Sequence, residues 1–213
     1  LVFMMNFENK SELGENSTYF ADVSKYGNNG ICAAGTTCPA LNTTAGRYGN
    51  AMTFDGVNDN INLSQSMTSV VNLSYFTVGL WFKSTTSGVM YSDRVVSVPD
   101  RFVILRLGSA VDTSIRINGG SDSIIYSSRN GLNDGNWHHA VSVRNGTNNY
   151  LYIDGAPQGQ NSSISGTGTA QSGSFIGFLG PSSQYFNGSI DEVRIYNRSL
   201  SADEVYELYA SNL

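Results

Sequence analysis

Closely spaced turn signals are the feature that most constrains how this chain of 213 residues can fold. Asn-Gly or Asp-Gly pairs begin at positions 55, 118, 130, 134, 145 and 154, and short apolar or alternating runs lie between them. Such pairs close tight turns between strands. Few Lys and Glu residues accompany many β-branched and aromatic ones, and this composition favours strands over helices. We predict strands at residues 2–7, 51–54, 58–63, 76–83, 89–93, 101–107, 113–118, 123–127, 137–144, 150–153, 173–177 and 189–196.

Short strands at this spacing predict an all-β fold, an antiparallel sandwich of two sheets. In the run 76–83 every second residue is apolar, so that side of the strand is expected to face the core. The only helical pattern lies at 201–210, where Ser201 and Glu204 have the spacing of a capping box. No linker or internal repeat interrupts the chain, so we predict a single domain over residues 1–213.

The composition excludes several classes of partner. A formal net charge of −5, with charged residues at 14% of the chain, leaves no basic surface for nucleic acid. An apolar content of 40% is sufficient for a packed core. No apolar run approaches the roughly 18 residues of a membrane helix, so we expect no membrane insertion. The apolar start is too short for a signal peptide, and we expect a domain of a longer protein or a mature product.

Asn-x-Ser/Thr triplets occur about twice as often as the Asn, Ser and Thr content would give by chance. They are acceptors of N-linked glycans in secreted chains, which favours an extracellular or cell-surface location. The alternative is that polar β-turns are rich in these residue types in any case. The triplets begin at Asn9, Asn16, Asn42, Asn62, Asn72, Asn145, Asn161, Asn187 and Asn197.

The two cysteines, Cys32 and Cys38, agree with an extracellular location. We predict that they form a local disulfide. A metal pair is the competing hypothesis, but no second thiol pair or nearby histidine completes a zinc site.

Asp191 is the most informative acidic position. By strand parity it should face the core with Val193 and Ile195, and a buried carboxylate needs hydrogen bonds or a cation. The turn at 22–30 begins with Asp22 and is rich in the oxygen ligands that calcium takes. The alternative is that Asp22 accepts turn amides while Asp191 accepts hydrogen bonds from backbone across a loop.

Catalytic patterns are absent from the sequence. The only two histidines, His138 and His139, are neighbours on a predicted strand and should point to opposite faces. No strand carries an acid-x-acid pattern of the kind that a glycosidase needs, and no Gly-x-Ser-x-Gly elbow occurs. We therefore expect no enzymatic activity.

Seven segments, taken together and in order, resemble one known family. Among them are Phe76-Thr-Val-Gly-Leu-Trp-Phe82 and Tyr150-Leu-Tyr-Ile-Asp-Gly155. The chain resembles the laminin G-like, or concanavalin A-like, lectin domains of bacterial and archaeal type. The resemblance implies a jelly roll of two antiparallel sheets, one of them concave, with loops around its rim and a late helical turn. The segments are 1–8, 22–30, 48–61, 76–82, 134–140, 150–155 and 186–204.

The resemblance also implies a structural calcium ion. In the family the ion often lies between the early Asp-containing loop and the acid of the closing strand. On this sequence those positions are Asp22, Asn28 and Asp191, with backbone carbonyl groups as further ligands. The loop departs from the usual Asp-x-Ser-Gly-Asn-Gly pattern, because Lys25 and Tyr26 stand in place of the first Gly-Asn.

Such domains imply binding rather than catalysis. We expect a non-catalytic module that recognises glycans or glycoproteins at a cell surface, with Trp81, Tyr91, Tyr126 and Tyr185 as candidate aromatic platforms. The alternative is a structural or adhesive subunit that self-assembles into a fibre, sheath or cell-surface layer. Its apolar first segment could complete the sheet of a neighbouring copy by strand addition.

Overall fold

The computed structural model describes residues 1–65, 67, 71–72, 74–94, 101–115, 123–161, 173–179 and 184–211. Most of these residues lie in strands, and one α-helix follows the last strand. The strands are β1 (Phe3–Met5), β2 (Tyr19–Phe20), β3 (Gly30–Ile31), β4 (Ala40–Asn42), β5 (Ala51–Asp55), β6 (Ile61–Leu63), β7 (Tyr75–Lys83), β8 (Gly88–Arg94), β9 (Arg101–Leu107), β10 (Ala110–Ile115), β11 (Ser123–Asn130), β12 (His138–Asn145), β13 (Asn148–Ile153), β14 (Ala156–Asn161), β15 (Ser174–Ile176), β16 (Phe178–Leu179), β17 (Gln184–Tyr185) and β18 (Asn187–Tyr196). The helix is α1 (Ala202–Ala210), and Ser11–Leu13 form a 3-10 turn.

Two large antiparallel sheets form the sandwich. The first sheet has the order β14-β13-β12-β7-β18-β5-β4, with β1 also paired to β18. The second sheet has the order β11-β10-β9-β8-β15-β6-β3-β2, and β16 and β17 form a separate hairpin. The predicted all-β, two-sheet jelly-roll sandwich with a short C-terminal helix is confirmed.

Alternating side chains of β7 show how the sequence builds the core. Phe76, Val78, Leu80 and Phe82 are buried in the main cluster between the two sheets, as their parity predicts. Trp81 lies on the other side of the strand. In this article the outer face of a sheet is the side turned away from that core.

Helix α1 covers part of the outer face of the first sheet. Val205 on the helix packs with Val141, Val143 and Tyr152 of the sheet in a separate apolar cluster. The predicted capping box is present, because Ser201 Oγ accepts a hydrogen bond from the Glu204 N–H and the Glu204 carboxylate accepts one from the Ser201 N–H. The helix is therefore the third layer of the molecule on that side.

The predicted disulfide joins Cys32 to Cys38, with 5.1 Å between the Cα atoms. It closes a short loop between β3 and β4. Among the described helices, none has the length and apolar character needed to cross a membrane.

The strand predictions differ from the structure mainly at the edges of the sheets. Residues 113–118 were predicted as a strand, but β10 is Ala110–Ile115, and residues 116–118 lie outside the described residues. The short strands β2, β3, β4, β16 and β17 were not predicted, because two or three residues show no periodicity. Strand β14 was missed because Pro157 and Gly159 interrupt any apolar alternation.

Candidate ligand-binding face

A β-bulge in β18 decides the face on which Asp191 lies. The register between β18 and β7 shifts after Asp191, and Glu192 has a left-handed backbone with a φ of +52°. Asp191 consequently pairs with Trp81 on the outer face of the first sheet, whereas Val193 and Ile195 belong to the core. The prediction that Asp191 shares their side of the strand is wrong, because the bulge adds one residue to β18.

Asp191 is fully buried, and backbone N–H groups stabilise its carboxylate. Its Oδ2 accepts hydrogen bonds from the N–H groups of Arg47 and Tyr48, at 2.9 and 3.0 Å, and its Oδ1 accepts one from Glu192 at 2.7 Å. Burial raises the pKa of Asp191 to about 7, although the hydrogen bond from Tyr48 favours the ionised form. Asp191 therefore anchors the loop before β5 to the closing strand.

The early loop is held to β1 by a different carboxylate. Asp22 Oδ1 accepts hydrogen bonds from the N–H groups of Met4 and Ser24, each at 2.9 Å. Asp22 Oδ2 accepts the N–H of Asn28 and the hydroxyl of Ser24, each at 2.8 Å. The side-chain amide of Asn28 donates to the carbonyl of Val2 at 3.0 Å. Each oxygen of Asp22 is thus occupied by protein donors.

These contacts bring together two of the three predicted calcium ligands. Asp22 and Asn28 meet in the early loop, but Asp191 takes its hydrogen bonds from another segment. No group of three or more His, Cys, Asp or Glu side chains among the described residues could hold a metal ion. Backbone N–H groups donate to both carboxylates, as in the alternative in which backbone amides satisfy Asp22 and Asp191 separately. Calcium binding itself stays a prediction.

Trp81 is buried in a stack beneath helix α1 and is not available as a platform. Its ring is 3% exposed and stacks on Tyr209, with 5.6 Å between the centroids. The Arg47 guanidinium lies 4.2 Å from the centroid of the same ring. His139 packs on Trp81 as well, and burial lowers the pKa of His139 to about 3.

The two histidines have structural surroundings. His138 pairs with Phe82 and His139 with Trp81, so they lie on opposite sides of the sheet as expected. His138 Nδ1 is 2.9 Å from Asp154 Oδ2 and its Nε2 is 3.2 Å from Asp134 Oδ1. The hydrogen bond with Asp154 raises the pKa of His138. His138 therefore connects two turns.

Of the other predicted aromatic platforms, one is buried and two are accessible. Tyr91 is completely buried in the core. Tyr126 is 60% exposed on β11, and Tyr185 is half-buried on β17. Both accessible tyrosines belong to the side of the molecule formed by the second sheet.

A row of one basic, one acidic and one aromatic side chain crosses neighbouring strands of the second sheet. Asp112 on β10 pairs with Tyr126 on β11 and with Arg106 on β9. The neighbours of Asp112, Val111 and Thr113, point to the inner side, so the row lies on the outer face. Arg106 Nε donates to Asp112 Oδ2 at 2.8 Å. An exposed aromatic ring, a carboxylate and a guanidinium are thus placed side by side.

The second oxygen of Asp112 is the least satisfied part of this row. Asp112 is 3% exposed, and its Oδ1 finds no hydrogen-bond partner within the described part of the chain. Burial raises the pKa of Asp112, while the adjacent Arg106 lowers it. Ser114 lies two residues further along the same face, about 7 Å away along the strand, and its buried Oγ is also unpartnered among the described residues. Both atoms could be satisfied by a ligand.

The hairpin of β16 and β17 borders the row on the side of β8. Leu179 packs on Val89, which pairs with Arg106, and Ser92 Oγ donates to the Phe178 carbonyl at 2.6 Å. The rings of Phe178 and Tyr185 stack with 4.7 Å between their centroids. Aromatic rings therefore lie on both sides of the Asp112–Arg106 pair. The strands that border the pair, β11 and β8, are three strand spacings apart, about 14 Å.

The nine predicted glycan acceptors lie at the surface. Asn42 and Asn161 are half-buried and the other seven are exposed. Asn16 and Asn42 are each held in a turn, because the Oδ1 of each accepts the N–H groups of the residues two and three positions further along the chain. Glycosylation of these residues stays a prediction.

Comparison with solved structures shows the same fold in several binding domains. The binding domain of Paraclostridial Mosquitocidal Protein 1 has a TM-score of 0.72 at 19% identity, over 98% of this chain and 51% of that chain. The receptor binding domain of botulinum neurotoxin type G has a TM-score of 0.69 at 15% identity, over 98% and 50%. This chain spans about half the length of those two domains. Domain 4 of AbnA, an extracellular GH43 arabinanase from Geobacillus stearothermophilus solved with arabinotriose, has a TM-score of 0.69 at 19% identity, over 98% of both chains.

Fold and surface together define a lectin-like β-sandwich. The family described as the concanavalin A-like lectin/glucanase superfamily matches residues 55–206, and the chain belongs to it. A search of curated proteins gave no match. The resemblance that the sequence motifs indicated is therefore confirmed.

Proposed function

We propose that this chain is a non-catalytic, extracellular binding module that recognises glycans or glycoproteins at a cell surface. Its binding face consists of Tyr126, Asp112 and Arg106 on the outer face of the second sheet. The observation that carries the proposal is the Oδ1 of the buried Asp112, which has no hydrogen-bond partner among the described residues and lies beside the exposed ring of Tyr126. A sugar supplies what is missing, because its hydroxyl groups donate to carboxylates and its apolar face packs on aromatic rings.

The chemistry of the row favours a neutral sugar with adjacent hydroxyl groups. One hydroxyl can donate to Asp112 Oδ1, while its neighbour accepts from the Arg106 guanidinium, whose side chain is 38% exposed. The positive charge of Arg106 is already balanced by Asp112. An acidic ligand would meet an ion pair rather than a free cation, so charge gives it no advantage.

Three of the structural neighbours support a role in binding by their descriptions alone. Two are binding domains of toxins, and the third was solved with a bound trisaccharide. The third comes from an extracellular enzyme, which agrees with an extracellular location and with the disulfide.

Binding of oligosaccharides to Tyr126→Ala tests the proposal. Arabinotriose and a panel of neutral oligosaccharides would be titrated by calorimetry. Loss of one stacked ring is expected to weaken binding about 3- to 10-fold. Tyr206→Ala is the matched control, because Tyr206 is 58% exposed but lies on helix α1 over the other sheet. Absence of binding to every sugar tested, or equal losses in both variants, would contradict the assignment.

Self-association is a second candidate function, and one observation favours it. A pocket of about 270 Å³ lies where both sheets end, lined by Phe20 of β2 and Leu41 of β4 together with Phe7 and Met52. In the described part of the chain β4 pairs only with β5, so its other edge can accept a strand. The donor proposed from the sequence is a poor one, because β1 is buried in the chain's own core. Concentration-dependent size-exclusion of wild type and Leu41→Glu would show whether this edge mediates assembly.

A further inference from the structure

A second groove lies on the opposite side of the molecule, on the outer face of the first sheet. It has a volume of about 630 Å³ and lies beside the pair of β1 and β18. Helix α1 packs over the other strands of that sheet, and none of its residues lines this groove. The lining residues used below are Asn6, Glu8, Lys10, Tyr48, Glu192 and Arg194.

The bulge in β18 builds one wall of the groove. Glu192 holds a left-handed backbone that a residue with a side chain adopts at a cost, and strain of this kind is concentrated at functional sites. Its carboxylate accepts hydrogen bonds from Nε and Nη2 of Arg194. Both side chains are about nine-tenths buried, with 8% of Glu192 and 11% of Arg194 exposed. A charged pair is thus held rigidly in the wall.

Asn6 lines the same groove beside the β18 bulge and has an unsatisfied acceptor. Its Oδ1 is buried and has no hydrogen-bond partner in the part of the chain that the structure describes. Asn6 follows the core residue Met5 by one position, so its side chain belongs to the outer face that forms the groove. A ligand that donates a hydroxyl or amide hydrogen here would remove the desolvation cost of that atom.

We propose that this groove binds a neutral sugar unit, which gives the chain two carbohydrate-binding sites on opposite faces. The acids Glu8 and Glu192 are balanced by Arg194 and Lys10, so a neutral ligand is favoured over an ionic one. The half-buried ring of Tyr48 supplies an aromatic surface in the same groove. Few polar groups and one aromatic ring are typical of sites that orient a small ligand.

A peptide strand fits this groove less well than a sugar. On its free side β1 is already covered, because the Met4 N–H donates to Asp22 and the Met4 carbonyl accepts from Val23. No backbone edge is therefore open for strand addition at this place. The proposal does not depend on the site at Asp112, which lies on the other sheet.

With two sites on opposite faces, one protein molecule can bind two polysaccharide molecules at the same time. A module with a single site binds a soluble polysaccharide without linking its molecules, whereas two sites cross-link them. Mixtures of the chain with a branched neutral polysaccharide are expected to become turbid, and short oligosaccharides should reverse the turbidity by competition.

Chemical-shift mapping with Asn6→Leu tests the second site directly. The measurements use the full chain carrying Asp112→Ala, so that the first site is disabled, with arabinotriose and a panel of neutral oligosaccharides as probes. We expect amide signals of residues 4–8 and 192–194 to shift on titration. Asn6→Leu should raise the dissociation constant about ten-fold or more, since it removes the acceptor at nearly constant volume.

The matched control is Asn60→Leu, at a half-buried asparagine outside the groove. It should leave the shifts at residues 4–8 and 192–194 unchanged, which separates a groove effect from a general effect on folding. If no oligosaccharide moves these signals, or if Asn6→Leu and Asn60→Leu bind equally, the second site does not exist. Shifts at Arg106 and Tyr126 in the wild-type chain report on the first site, so the two proposals can fail separately.

Discussion

Replacing Asp112 by alanine should weaken ligand binding without destabilising the fold. In the folded chain without ligand, one oxygen of Asp112 is buried and unpartnered, as far as the described residues extend. In the complex that oxygen would accept a hydrogen bond from a sugar hydroxyl. A residue that only stabilises the fold would not carry the desolvation cost of this oxygen. The effects of the substitution on affinity and on stability therefore separate a binding role from a structural one.

The magnitudes follow from the contacts of Asp112. A hydrogen bond to a charged group contributes about 1.5–3 kcal/mol, so its loss should weaken binding about 10- to 150-fold. Removing the unpartnered oxygen relieves about 1–3 kcal/mol of desolvation cost. The ion pair with Arg106 is partly exposed and contributes at most about 1 kcal/mol. The free energy of unfolding should therefore stay constant or rise by up to about 3 kcal/mol.

Calorimetric titration and urea unfolding check the two parts of this prediction. Asp112→Asn should lose less affinity than Asp112→Ala, because one amide oxygen can still accept from either Arg106 or the sugar. Asp203→Ala, at an exposed acid on helix α1, serves as the control for a change in net charge. A drop of more than about 1 kcal/mol in unfolding free energy for Asp112→Ala would refute the reasoning, since Asp112 would then be a structural residue.

Four further predictions concern stability. Replacing Cys32 and Cys38 by serine should cost about 2 kcal/mol for this short loop, which lowers the melting temperature by about 4–8 °C; an unchanged melting curve would show that the disulfide does not form. Ser201→Ala should cost about 1 kcal/mol through loss of the helix cap, measured by urea unfolding, and Ser201→Asp should restore it. The raised pKa of His138 means that its charged form stabilises the fold below its unfolded value near 6.5 and that this contribution is lost as pH rises through the folded pKa. The stability advantage of wild type over His138→Asn, about 1.5–3 kcal/mol in acid, should shrink towards higher pH, and a constant difference would contradict it. If calcium binds the native chain, a chelator should lower the melting temperature. Identical melting curves with and without the chelator would contradict calcium binding.

The framework of the sandwich could be predicted because it depends on local patterns. The alternating apolar residues of β7 gave the correct buried side, and the capping box at Ser201 gave the correct start of the helix. Both features are decided by neighbours within a few residues. The resemblance to the lectin family added the order of the segments, which composition and periodicity do not contain.

The position of Asp191 could not be predicted, because parity counting assumes an uninterrupted strand. The bulge at Glu192 turns Asp191 to the outer face, and nothing in the residues before it announces the extra position. The aromatic stack around Trp81 depends in turn on the docking of helix α1. Such features arise from tertiary contacts.

The candidate binding row was missed for a related reason. Arg106 stands between Leu105 and Leu107, and Asp112 follows Val111, so the alternation of side chains would have placed both on an outer face. Their juxtaposition with Tyr126 depends on the register of β9, β10 and β11, which the residue pattern of a single strand does not contain. The signal available in the sequence was a charged residue within a largely apolar strand, which indicates a polar group on the outer face of a sheet.

The enclosed position of Trp81 gives the chain an intrinsic optical reporter. Its indole is in contact with Arg47 and Tyr48, and Tyr48 lines the groove of the first sheet, so a ligand entering there should alter the emission of this fluorophore. The other indole, Trp137, is half-buried and donates to the Ala45 carbonyl. Occupation of the face at Tyr126, on the other sheet, should leave the Trp81 spectrum unchanged, so fluorescence quenching distinguishes ligands by the side from which they approach.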